Sequence, residues 1–417
     1  MAHDYDTIRK SGLEYLKSAF SEKAVEFAIE QTQKFEVEVP GWQFWAGFGG
    51  GGRFDSGSDG GAARNTTEIA EDAGVVHTLT RSAPRVGLHV LWFLSRDNLT
   101  GDMAIAGKVA RELQDHGVKM GSISPTYFLA GSEDGSFTAQ DQSVRQGYIE
   151  QTVLAARIAA ELSNGILSLW FPDGTNYPGQ RNLQDKIGLM AESLSSFWEK
   201  TPSDIQQKLR SVLVEYKLFE PGTYSTTIPD WGTALELSKI FPDRGGVLVD
   251  LGHHAHGTNV EQIIAALISL NVRGGFHFNA RYAADDDHAV QADYQLARFF
   301  YELLQGRVVN NPDRAENWFF ALDQMARTEQ RIPSILKSID ALKRSVAKAA
   351  IANIDIIKKL QKAQNLIGSN KEFEQALLHA DTAAVVMESY HRQGLHPVPL
   401  DAYRDSGYQE KIAKNRR

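Results

Sequence analysis

The sequence predicts an α/β protein built as a (β/α)₈ TIM barrel, with N-terminal helices and a C-terminal helical extension. Eight short apolar runs rich in β-branched and aromatic residues recur along the chain, and segments of helical periodicity separate most of them. Acidic residues and histidines gather at or just beyond the ends of the last four runs, which is where a barrel of this kind carries its active site.

In order, the runs cover residues 37–45, 85–92, 118–124, 166–171, 211–219, 246–251, 275–279 and 317–323. The helical segments cover 102–116, 149–162, 182–198, 231–240, 260–270 and 293–304. Strand and helix alternating in this way require parallel strands joined by crossover helices, and eight units suggest closure; a doubly wound open sheet is the alternative. Residues 6–34 read as a leading helix pair. Residues 332–378 form a long Lys-, Ala- and Ile-rich helical region with no Gly or Pro between Leu336 and Leu366. The expected organisation is therefore an N-terminal helical segment (1–35), a catalytic barrel (36–331) and a C-terminal helical extension (332–417). Apolar faces on that extension suit the barrel exterior or another subunit, so a homo-oligomer is expected.

Composition narrows the function. With 417 residues and 42% hydrophobic content, the chain can bury a large core. Its 44 basic and 52 acidic residues give a net charge of -8, which argues against nucleic acid as a partner. There is no cysteine, so a metal site must be built from carboxylates, imidazoles and water. No apolar stretch approaches the ~20 residues needed to cross a bilayer, and the first ten residues have no apolar signal core; the expectation is a cytoplasmic protein that does not enter the membrane. The segment 47–61 crowds Gly, Ser and Asp around Arg53 and Phe54 without a phosphate-loop pattern, and reads as a loop, with a lid over the site as its functional alternative.

The candidate ligands are Glu215, Asp250, His253, His277, Asp285, Asp287 and Asp323. In Glu215-Tyr216-Lys217 the alternation of a strand puts Glu215 and Lys217 on one face, so a carboxylate and an ammonium enter the same space. Asp250 and His253 flank Leu-Gly at a strand end. His277 and Asn279 share a face, and Asp285 and Asp287 share a parity in the loop beyond. Singly, an Asp after a strand is ordinarily a helix N-cap, a His on an apolar strand a hydrogen-bonded core residue, and 285–287 a solvated turn. Four successive strands carrying such groups at the same end favour a metal site, and seven ligands suit two hard divalent ions.

These residues carry a resemblance. Val-Asp-Leu-Gly-His-His-Ala at 249–255 with Thr258-Asn259, Gly-Gly-Phe-His-Phe-Asn at 274–279, Tyr-Ser-Thr…Asp-Trp-Gly-Thr at 224–233 and Trp170 followed by Asp-Gly-Thr-Asn-Tyr-Pro-Gly-Gln at 173–180 resemble the L-rhamnose isomerase family, within the xylose isomerase-like barrels. The resemblance runs from about Gly41 to Tyr408. It implies a homo-oligomeric barrel, a tetramer in the family, that uses two divalent ions, usually Mn²⁺ with Co²⁺, Mg²⁺ or Zn²⁺ as alternatives, to interconvert an aldose and a ketose. By the same resemblance Glu215, Asp250, His277 and Asp323 match the ligands of one ion, and His253, Asp285 and Asp287 those of the other. Lys217 matches the lysine near the substrate oxygens, His89 and Trp92 match sugar-contacting positions, and Trp170 matches an aromatic wall; Lys217, Asp323 and His89 are the implied catalytic groups.

The chain also departs from the family pattern. Phe93 stands where an acid is expected, Ser122-Ile123-Ser124-Pro125 replaces an Asn-containing stretch, and Met325-Ala326 replaces polar residues. If these positions face the sugar, they lower the polarity of its site and point to a small-molecule sugar other than, or besides, L-rhamnose. Two alternatives stay open at this point: a metal-dependent epimerase, which incorporates solvent deuterium where a hydride-type transfer does not, and a divergent barrel without this activity.

Overall fold

In a computed structural model, residues 4–45, 60–95, 102–220, 224–280, 287–309, 317–325 and 329–416 are described. Most of the expected loop at 47–61 lies outside them.

The strands are β1 (Val39–Pro40), β2 (Arg85–His89), β3 (Lys119–Ser124), β4 (Ile166–Trp170), β5 (Ser211–Glu215), β6 (Phe219–Glu220), β7 (Tyr224–Ser225), β8 (Gly245–Asp250), β9 (Arg273–Phe278) and β10 (Trp318–Leu322). Eight of them pair in the order β1-β2-β3-β4-β5-β8-β9-β10, all parallel, while β6 and β7 form a small antiparallel hairpin. The ring is brought together by Glu38, whose N–H donates to the Phe320 carbonyl at 2.9 Å and whose carbonyl accepts from Leu322 N–H at 2.8 Å. A nearly closed (β/α)₈ barrel results, as the alternating pattern predicts.

Because both faces of the strands are covered, β4, β5, β8 and β10 read as nearly continuous apolar runs. Their period of two sorts them into two layers. Val212, Val214, Val247 and Val249 join the large core beneath the helices, while Ile166, Leu213, Leu248, Phe319 and Ala321 form a separate cluster on the opposite face, inside the barrel. Most crossover helices start at an Asn or Asp N-cap: Asn65, Asp102, Asp141, Asn182, Asp230, Asn259 and Asp293 each accept a backbone N–H of the first turn. Asp250 and Asp323 are not among these caps.

Several segments differ from the sequence expectation for local reasons. Pro40 has no N–H to continue a ladder, and the chain turns at once into the short helix Gly41–Phe44. After His89 the chain enters a π-helical turn, Val90–Leu94, where Leu91 N–H donates to the Thr126 hydroxyl at 3.0 Å rather than to a neighbouring strand. The fifth run stops at Glu215, and Lys217 N–H is taken by the Ile228 carbonyl at 3.0 Å. The helix Thr66–Thr80 was not expected. In the C-terminal region Asn353 and Asn365 start new helices by capping Ile356 and Gly368, which breaks the long helix into Arg331–Ile351, Ile354–Lys362 and Leu366–His379 without any Pro. Helix Arg331–Ile351 follows β10 and packs against helices Glu22–Lys34 and Tyr294–Gln305, the position of an outer barrel helix. Among the described residues no helix is long and apolar enough to cross a membrane.

Candidate metal centre and active site

The face that puts Leu213 and Leu248 inside the barrel continues upward to Glu215 and Asp250, the last residues of β5 and β8. By the same parity Gly275 leads to His277 on β9, and Ala321 to Asp323 just past β10. One potential ligand atom from each of Glu215, Asp250, His277 and Asp323 lies within 4.8 Å of all the others, so the four could hold a metal ion. His277 Nδ1 stands among the carboxylates, 3.2 Å from Glu215 Oε1, 3.4 Å from Asp323 Oδ2 and 3.9 Å from Asp250 Oδ2.

The electrostatics are those of a site built around a cation. Burial raises the Glu215 carboxyl, and Asp250 is pushed well above the carboxylate range by burial and by its neighbours Glu215 and Asp323. For His277, burial acts downward, but the Glu215 charge and the hydrogen bonds to Asp323 and Glu215 carry it well above the usual imidazole value. Burial opposes ionisation of Asp323 too, yet its contact with His277 holds it below the ordinary value. Among the described residues no lysine or arginine forms an ion pair with any of the three carboxylates. An imidazolium and a divalent ion are therefore competing solutions to one excess of negative charge, and the donor set, three carboxylates and one imidazole, fits a hard divalent ion.

His253 lies beside this group, with Nδ1 3.4 Å from Glu215 Oε1 and Nε2 3.8 Å from Asp250 Oδ1. Burial holds its imidazole well below the usual value, in its neutral form. Above these residues is a cavity of about 140 Å³ that is also lined by Lys217, His89, Trp170 and Asp287. Lys217 Nζ lies 3.0 Å from Glu220 Oε1 and 5.1 Å from the centre of the Trp170 ring. His89 is pushed down to about 4 by burial, and its ring meets Trp42 edge-on at 5.0 Å.

Glu215, Lys217, Asp250, His253, His277 and Asp323 thus come together, with His89, Trp170 and Asp287 around the same space. Phe93 does not join them. It sits in the π-helical turn, 2% exposed, with its ring against Trp45 at 5.7 Å. Asp285 and the side chain of Trp92 lie outside the described residues. Of the other departures, Ser124, Pro125 and Met325 line the cavity, while Ser122 is turned to Glu38. Sequence reasoning missed Trp42, Phe128, Ser168 and Glu220, all of which line it. Only Glu220 left a signal, an acid three residues beyond Lys217.

Fold and site define an enzyme of the (β/α)₈ class with a carboxylate and imidazole cluster at the C-terminal ends of its strands. A family model described as L-rhamnose isomerase (RhaA) matches residues 10–401, and the chain belongs to that family, whose members are aldose–ketose isomerases. A probable sugar isomerase of Rhizobium meliloti is 31% identical, with 92% of this chain and 86% of the relative covered. Another, of Mesorhizobium japonicum, is 28% identical over 94% and 89% of the two chains. An L-rhamnose isomerase of Yersinia pseudotuberculosis is 23% identical over 91% and 90%.

Proposed function

We propose that the protein interconverts an aldose and its ketose by moving a hydrogen between C1 and C2 of L-rhamnose or a related sugar. In this reading one divalent ion, Mn²⁺ before Co²⁺, Mg²⁺ or Zn²⁺, is held by Glu215, Asp250, His277 and Asp323, and a second by His253, Asp285 and Asp287. The observation that carries it is the convergence of four ligand groups from β5, β8, β9 and the end of β10 beneath a cavity that also contains Lys217. Bound ions supply Lewis-acid stabilisation of the negative charge that develops on the two sugar oxygens during the transfer.

The chain's own residues do the rest. Lys217, steadied by Glu220, offers a positive hydrogen-bond donor to a sugar oxygen. His89, neutral above about pH 4, can exchange a hydrogen bond with a hydroxyl without adding charge. Trp42, Phe128 and Trp170 wall the cavity and keep water from the reacting carbons. Pro125, Phe128 and Met325 present apolar surface, which supports a sugar with an apolar end, such as a methyl-terminated one, over a fully hydroxylated hexose. The reading extends to a homo-oligomer, supported by the exposed Leu366, Ile367 and Leu378 on one C-terminal helix.

The test is to incubate the Mn²⁺-loaded protein with L-rhamnose and a panel of aldoses and ketoses and to follow the product sugars by chromatography. Isomeric product that disappears on chelation and returns with metal is expected. An absence of turnover across the panel, with ions bound, would reject the reading.

A further inference from the structure

Both aspartates of the four-residue cluster have Oδ1 engaged by neutral donors, and on Asp250 the Asn279 amide reaches Oδ2 as well, at the longer distance. Asp250 Oδ1 accepts Gly252 N–H at 2.7 Å and the Asn279 amide at 3.0 Å, and the same Nδ2 lies 3.2 Å from Oδ2. Asp323 Oδ1 accepts the indole N–H of Trp42 at 3.2 Å. In each case the other oxygen, Oδ2, is the one turned to His277 Nδ1, at 3.9 Å for Asp250 and 3.4 Å for Asp323. Asn279 is 2% exposed, and among the described residues its own Oδ1 has no hydrogen-bond partner. Leaving that oxygen unpaired is costly, and the orientation is kept because the opposite one would set a carbonyl oxygen against both oxygens of a carboxylate. Gly252 makes the approach feasible: a Cβ there would meet Asn279 Oδ1 at 3.0 Å and Asp250 Oδ1 at 3.2 Å.

We infer that Asn279 and Trp42 are positioning residues that hold Asp250 and Asp323 as single-oxygen ligands and so bias the site toward small divalent ions over Ca²⁺. The inference rests on the proposed use of Glu215, Asp250, His277 and Asp323 as an ion site. A lysine or arginine in either place would also fix the carboxylates, but it would neutralise the charge that attracts the cation. An amide and an indole orient without neutralising. With Oδ1 of each aspartate occupied, neither readily chelates through both oxygens. Ca²⁺, which takes six to eight oxygens and favours two-oxygen carboxylates, loses more from that restriction than Mn²⁺, Co²⁺ or Zn²⁺ does.

The experiment titrates metal-free full-length protein with Co²⁺ and, separately, with Ca²⁺, by calorimetry and by the visible absorption of bound Co²⁺, for the wild type, Asn279→Ala and Trp42→Phe. Asn279→Ala is expected to weaken Co²⁺ binding by about 10- to 100-fold, to alter the Co²⁺ spectrum as coordination changes, and to narrow the Co²⁺ over Ca²⁺ preference by roughly tenfold. Trp42→Phe, which keeps an aromatic ring and loses the N–H donor with the five-membered ring that carries it, should move the same readouts in the same direction by about tenfold or less. Should Asn279→Ala fail to fold, Trp42→Phe decides. Wild-type affinity and an unchanged spectrum in the folded variants would overturn the assignment, as would a wild type that binds no Co²⁺ or binds Ca²⁺ as tightly. Failure of sugar turnover with the metal preferences intact would instead reject the proposed reaction and leave this inference standing.

Discussion

The Nδ1 of His253 lies 3.1 Å from the backbone carbonyl of Tyr216. A carbonyl can only accept, so Nδ1 carries the proton and the lone pair is on Nε2, the nitrogen 3.8 Å from Asp250 Oδ1. Burial holds the ring well below the usual imidazole value, which favours the neutral form and leaves that lone pair available at neutral pH. Under the proposed two-ion reading, His253→Gln should lower the bound metal from two ions to one per chain and cut kcat by roughly 100-fold or more. Equilibrium dialysis followed by elemental analysis reads the stoichiometry; two ions retained in the variant would remove His253 from the ligand set.

Lys217 is expected to act on the substrate and not as a metal ligand. Its ammonium sits 3.0 Å from Glu220 Oε1 and over the Trp170 ring. Lys217→Gln should therefore leave ion affinity close to wild type while lowering kcat by about 100- to 1,000-fold, the usual cost of removing a donor aimed at developing oxyanion charge. Steady-state kinetics beside a Co²⁺ titration separates the two. A variant that loses metal and activity together would assign Lys217 to the structure of the centre.

How much of this could be read beforehand depends on how local the determinant is. The parity that carries Leu213 to Glu215 and Leu248 to Asp250 is a property of single strands, so the cluster was legible from the chain. Trp42 was not, because it looks like any core tryptophan. Its hydrogen bond to Asp323 spans 281 residues and exists only because the ring closes between β1 and β10. Phe93 was expected at the sugar because the family resemblance puts an acid at that position, just after the second run. A π-helical turn held by Thr126, a residue on the following β/α loop, rotates it into the core. Glu38 likewise gives no sign in sequence that it points inward.

Glu38 supplies a further prediction. Its carboxylate is fully buried beneath the centre, where Ser122 N–H donates to both oxygens at 2.8 and 2.9 Å, and burial raises its pKa. The room comes from Gly121, where a Cβ would fall 2.0 Å from Glu38 Oε2, and from Gly87, where one would fall 2.6 Å from Oε1. Gly121→Ala should destabilise the fold by about 1–3 kcal/mol by overpacking. Adding Glu38→Ala should recover part of the loss, since the clash is between these two groups. Urea denaturation of the two single variants and the double tests this; a Gly121→Ala protein with wild-type stability would mean the carboxylate can move at little cost.

The cluster also dictates how metal-free and metal-loaded protein should differ with pH. His277 is raised well above 6.5 in the folded state, so its contribution is complete below that value and is lost as pH rises through the folded pKa. Glu215 and Asp250 are likewise raised, so the folded state binds their protons more tightly than the unfolded chain does, and their ionisation on raising pH also costs stability. Asp323 is lowered, but its effect falls at acid pH, below the ordinary carboxylate value. Ion binding needs the carboxylates ionised and His277 neutral, so the metal replaces the protons that rising pH removes. The Tm gain on adding Mn²⁺ should therefore widen between about pH 6 and about pH 9. Asp250→Asn keeps an oxygen for Gly252 N–H while removing an ionisable group from the crowded cluster; it should lessen the fall of the metal-free Tm as pH rises and abolish most of the Mn²⁺ gain. Thermal melts of both proteins with and without Mn²⁺ decide the matter: a gain that does not change with pH, or one that persists in Asp250→Asn, would show that the ion is not held by these groups.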